Sequence, residues 1–165
     1  MDFKDQGKQA RPGDWKDRAQ PRDSMPDVRC APFADNGRET VAPHGIGGIL
    51  IVDEMPRIRR HLRDILEKEG YYIAGEASDG DEAVPLAVAL QPDLVVMDMV
   101  MKRMDGIVAA GHIRRLCPEA RVVMVTREAR PAVVLNSMKA GAVNFITKPF
   151  QDQQVISVVR NALKC

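Results

Sequence analysis

Aromatic side chains are scarce in this chain: one Trp, two Tyr and four Phe among 165 residues, 4% of the total. Any core must therefore be aliphatic, and a hydrophobic content of 45% supplies enough Val, Leu, Ile, Ala and Met to build one. Cysteine is equally sparse. Cys30, Cys117 and Cys165 lie far apart and form no CxxC pair, a set that fits free thiols in a reducing cytoplasm better than a disulfide framework. Neither charge sign dominates: 24 Lys and Arg against 23 Asp and Glu leave a net +1, too little for a nucleic-acid or anionic-membrane footprint. No apolar run approaches membrane-spanning length, and the charged N-terminus lacks the apolar stretch of a signal peptide. The expectation is a soluble cytoplasmic protein with no nucleic-acid or membrane partner.

What is present falls into two unequal parts. Residues 1–46 hold five of the eleven prolines (Pro12, Pro21, Pro26, Pro32, Pro43) among mixed charges, with little aliphatic periodicity. Such a segment buries too little apolar surface to offset its ordering entropy, so a disordered polar extension is expected. Trp15 and Phe33 are isolated in it, and Met25 offers a second possible translation start. Residues 47–165 are expected to form one domain.

In that domain short apolar runs alternate with amphipathic stretches. Strands are predicted at Ile49–Val52, Tyr72–Ala77, Leu94–Met97, Arg121–Val125 and Val143–Ile146. Helices are predicted from Pro56 to the stop at Gly70, over Asp81–Leu90, Gly106–Leu116, Pro131–Ala140 and Gln151–Leu163. Pro56 suits a first helical turn and Gly141 a C-terminal stop, while Pro85 should kink its helix or mark its true start. Five strands alternating with five helices give an α/β fold, a parallel sheet wound on both faces. Gly45-Ile46-Gly47-Gly48 precedes the first strand, where a dinucleotide-binding fingerprint would have to follow it, so it reads as a hinge.

The chemistry gathers at strand ends. Asp53-Glu54 follows the first strand and Asp98 closes the third; Thr126 closes the fourth and Lys148-Pro149 follows the fifth. Carboxylates, a hydroxyl and an ammonium there occupy the rim where a doubly wound sheet keeps its ligand crevice. Two carboxylates about 4 Å apart repel by roughly 4 kcal/mol at an effective dielectric near 20, so clustering Asp53, Glu54 and Asp98 calls for a cation or a proton. Mg²⁺ suits an all-oxygen site with few carboxylates, and an Asp attacking phosphorus gives an acyl phosphate. Each residue alone has a plainer reading: Asp53 as a turn or cap residue, Lys148 as a surface lysine, Phe145 as core.

Four ordered motifs, Ile51-Val52-Asp53-Glu54, Met97-Asp98 through Met104-Asp105-Gly106, Val123-Met124-Val125-Thr126 and Ile146-Thr147-Lys148-Pro149-Phe150, resemble those of response-regulator receiver domains of the CheY type. The turn Gly75-Glu76-Ala77-Ser78-Asp79-Gly80 adds to the likeness, which spans Ile49 to Lys164. The resemblance implies a flavodoxin-like (βα)5 sheet in the order 2-1-3-4-5. It implies that Asp98 accepts a phosphoryl group, that Asp53, Glu54, Asp98 and the backbone carbonyl of Val100 hold Mg²⁺, and that Lys148 pairs with Asp98 and then with phosphoryl oxygens. Thr126 and Phe145 become switch residues, and a cis peptide is implied before Pro149.

Three positions depart from the usual family pattern. Glu54 replaces an Asp, Lys102 a proline and Arg127 a small residue, and the resemblance places Val100 and Glu128 at positions that tune hydrolysis in the family. Because the last predicted helix ends close to Cys165, a receiver with no attached output domain is expected. It would be a non-enzymatic phosphoacceptor in a two-component phosphorelay, loaded by a sensor histidine kinase or phosphotransfer protein. Its output would pass to a protein target through the fourth helix, fifth strand and fifth helix, in chemotaxis or as a relay intermediate, as a monomer or a phosphorylation-dependent dimer. The rival is a pseudo-receiver that binds partners without phosphorylation. An aspartate-nucleophile phosphatase is weaker, because Val100 stands where a second Asp would act as general acid.

Overall fold

The computed structural model describes residues 48–164. The expectations for residues 1–46, the hinge glycines before Gly48 and Cys165 lie outside the described residues.

Ten elements alternate along the chain: β1 Ile49–Val52, α1 Pro56–Lys68, β2 Ile73–Ala77, α2 Gly80–Leu90, β3 Leu94–Asp98, α3 Gly106–Leu116, β4 Arg121–Thr126, α4 Pro131–Ala140, β5 Ala142–Thr147 and α5 Asp152–Leu163. The strands form one parallel sheet in the order β2-β1-β3-β4-β5. The α/β fold and strand order are therefore as expected, with strand ends shifted by a residue.

Alternation along the strands explains why the sheet needs helices on both faces. Leu50, Val52, Val95, Met97, Val122 and Met124 enter one core with α2 and α3. Their neighbours Ile49, Ile51, Leu94, Val96, Val123 and Val125 enter a second core with α1 and α5. Every residue of β1 and β3 is buried, as central parallel strands require.

Local chemistry sets the helix ends. Pro56 opens α1, and Gly141 ends α4 at φ 112°, a conformation natural to glycine. α2 begins at Gly80, well before Pro85, so the proline lies inside the helix and does not mark its start. The start is fixed by Asp79, whose carboxylate accepts from the Glu82 amide at 2.9 Å, while Glu82 accepts from the Ser78 amide at 2.7 Å.

The sheet also creates the crevice. The connection leaving β1 runs to β2 on one side and the connection leaving β3 runs to β4 on the other, so the two depart in opposite directions. The loops after β1 and β3 part at that point, and Asp53 and Asp98 stand there.

Candidate functional site

Asp53 follows the last residue of β1 and is fully buried. Its amide donates to the Ala77 carbonyl of β2 at 3.2 Å. Its Oδ1 accepts from the Met55 amide at 2.8 Å, a tight local turn that aims Oδ2 inward. There Oδ2 meets Lys148 Nζ at 2.7 Å, and the same nitrogen lies 3.2 Å from Asp98 Oδ2. One ammonium thus bridges two carboxylates from different strand ends. The cis Lys148–Pro149 bond expected from the resemblance is present, and the Lys148 amide donates to the Thr126 carbonyl at 2.7 Å.

Asp98 is nearly buried. Burial first, and the neighbouring Asp53 charge second, push its carboxyl above the ordinary range; Lys148 and the Val100 backbone amide pull it down without cancelling the rise. Two carboxylates thus face one ammonium. Gly106 sits against this strand end: a Cβ there would overlap the Asp98 carbonyl oxygen, so α3 can begin where it does only with glycine.

The remaining predicted residues are placed as follows. Thr126 is buried, and its hydroxyl donates to the Glu128 carbonyl at 2.9 Å while accepting from the Glu128 amide at 3.0 Å. Phe145 of β5 is half-buried, pairs in register with Met124 and packs against the α2–α3 core. Glu54 is exposed and does not join Asp53 and Asp98; it lines a groove of about 460 Å³ with Met55, Pro56, Arg57 and Lys102. Val100 is exposed. Arg127 crosses from the β4–α4 loop to bring Nη2 within 3.7 Å of Met55 Sδ.

Among the described residues no three His, Cys, Asp or Glu gather into a group that could hold a metal ion, so the three-carboxylate set does not assemble. The fit to Mg²⁺ rests on two. Asp53 and Asp98 present hard oxygens to one point with an excess of negative charge, and Mg²⁺ commonly binds through one or two carboxylates plus water.

Sequence reasoning missed Arg59. Its Nη1 donates to the Asp53 carbonyl at 2.6 Å, and its Nε to Glu76 of β2 at 3.1 Å. In the sequence it is one of several arginines in a helix and carries no distinguishing signal.

The response regulator receiver domain family matches residues 49–160. The chemotaxis protein CheY of Thermotoga maritima is 40% identical over 116 residues, covering 70% of this chain and 97% of that protein. Among solved structures, the receiver domain of the response regulator NarL from Mycobacterium tuberculosis superimposes with a TM-score of 0.68 at 27% identity, covering 73% of this chain and 98% of that one. A CheX–CheY–BeF3–Mg²⁺ complex from Borrelia burgdorferi gives 0.67 at 32% identity, covering 68% and 86%. The chain belongs to the response regulator receiver family of two-component signalling, and its receiver domain is CheY-like. No helix among the described residues is long and apolar enough to cross a membrane.

Proposed function

We propose that this protein is a response regulator whose Asp98 takes a phosphoryl group from a histidine kinase or phosphotransfer protein in the cytoplasm. The observation that carries the reading is the Lys148 ammonium bridging buried Asp53 and nearly buried Asp98. An Asp98 oxygen attacks phosphorus, the bond from phosphorus to the donor's leaving group breaks, and an acyl phosphate remains on Asp98. Lys148, already in contact with Asp98, turns its charge to the phosphoryl oxygens. Asp53 and Asp98, assisted by Glu54, would hold Mg²⁺, which would supply further positive charge to those oxygens.

Thr126 supplies the readout. Its hydroxyl is committed to the Glu128 carbonyl, so donating to a phosphoryl oxygen requires breaking that bond and freeing the β4–α4 loop. Phe145 on the neighbouring strand then repacks, and the α4–β5–α5 face changes for a protein partner. The protein assists its own loading and unloading and turns over no other substrate. The CheY relatives make chemotaxis control the first assignment and a relay step the second.

Beryllofluoride with Mg²⁺ tests this. Amide resonances of Thr126, Glu128 and Phe145 should shift in the wild type and stay fixed in Asp98→Asn. Unchanged wild-type resonances would leave the second reading, a phosphorylation-independent interaction module. That reading is favoured by the outward Glu54, which does not join Asp53 and Asp98.

A further inference from the structure

We infer that Arg59, set by Glu76 on the edge strand, is a positioning residue for the Asp53 side of the site. This rests on the reading of Asp53 as a Mg²⁺-holding residue.

Both ladders of β1 end at Val52, so the carbonyl of Asp53 lies past the last strand pairing. The Arg59 guanidinium from the first turn of α1 fills that role at 2.6 Å. Together with the Met55 amide on Oδ1 and the Ala77 carbonyl on the Asp53 amide, this holds the backbone on both sides of the Asp53 Cα and sets where Oδ2 points. Remove the guanidinium, and the carbonyl is free to turn with its side chain.

Arg59 is itself held. Glu76 of β2 accepts from Arg59 Nε at 3.1 Å and from Arg63 Nε at 2.6 Å, both pairs partly shielded from water. Glu76 thus joins β2, α1 and the Asp53 peptide in one chain of charge-assisted hydrogen bonds. Arg63 shares Glu76 but makes its other bond to Glu67, on the same helix, and so serves as a built-in control. A merely structural salt-bridge cluster would make Arg59 and Arg63 equivalent. A positioning role separates them.

The test is direct Mg²⁺ binding to the full chain by titration calorimetry, alongside thermal unfolding in chelator. Arg59→Gln should weaken Mg²⁺ about tenfold, the lower end of what outer partners of metal ligands contribute. Glu76→Gln should weaken it a few-fold, and in the double variant the effects should not multiply, because both act through one path. Arg63→Gln should lower the melting temperature about as much as Glu76→Gln yet leave Mg²⁺ affinity unchanged. Arg59→Lys, which keeps a charge but loses the fork, should fall between wild type and Arg59→Gln. Equal Mg²⁺ affinity in wild type and Arg59→Gln, or equal losses in the Arg59 and Arg63 variants, would overturn the inference alone. A wild type that takes no Mg²⁺ would overturn the reading of Asp53 and this inference with it.

Discussion

Lys148 and Asp53, 95 residues apart in sequence, meet at 2.7 Å in the interior of the crevice. The pair is almost wholly shielded from water, and the same ammonium reaches Asp98 at 3.2 Å. Buried charges of this kind are tolerable only while each has its partner. Lys148→Met, which keeps the aliphatic stem and removes the charge, leaves two carboxylates facing each other. In chelator it should destabilise the domain by about 2–4 kcal/mol, read by urea unfolding. Mg²⁺ should restore part of that loss, since another cation at the same carboxylates relieves the same repulsion.

Asp98 shows the converse. Its carboxyl is raised by burial and by Asp53, so the folded state disfavours its ionised form. That penalty is full above the raised folded value and vanishes once the pH falls below the ordinary Asp value. Asp98→Asn should therefore raise the melting temperature at neutral pH in chelator, by roughly 1 kcal/mol or a few degrees. Differential scanning calorimetry checks the sign.

Glu76 has the opposite linkage. Burial alone would raise its carboxyl, but hydrogen bonds from Arg63 and Arg59 hold it below the ordinary value. Its contribution is full above the usual Glu range and is lost as the pH falls through the lowered folded value. Glu76→Gln should be less stable than wild type at neutral pH by about 1 kcal/mol. The two unfolding curves should converge as the solution is acidified.

Gly106→Ala puts a methyl group into the Asp98 carbonyl oxygen. Backbone cannot yield as a flexible side chain does, so the loss should reach about 1–3 kcal/mol. Gly111→Ala, in the same helix and with open space at its Cβ position, should be neutral or slightly stabilising by urea unfolding.

Much of this was legible in the sequence, and particular residues show why. Ile49–Val52 and Leu94–Met97 are continuous apolar runs too short for helices, which marks them as central strands. Asp53, Asp98, Thr126 and Lys148 stood out because polar residues closing such runs have few structural reasons to be there. The starts of α1, α3 and α4 at Pro56, Gly106 and Pro131 are as the sequence predicts, while α2 opens one residue before the expected Asp81 because Asp79 caps it. Glu54 was grouped with its neighbour by adjacency, yet successive residues beyond a strand end point to different sides, and it faces the Lys102 groove. Arg59 was invisible because its role depends on a backbone carbonyl, and backbone acceptors leave no trace in residue identity.

The proposed function stands or falls with phosphoryl transfer to Asp98. Intact-mass spectrometry after brief exposure to acetyl phosphate and Mg²⁺, quenched in acid, tests it most directly. The wild type should gain the mass of one phosphoryl group, a gain lost in chelator and absent in Asp98→Asn. An unmodified wild type, or the same gain in Asp98→Asn, would contradict it.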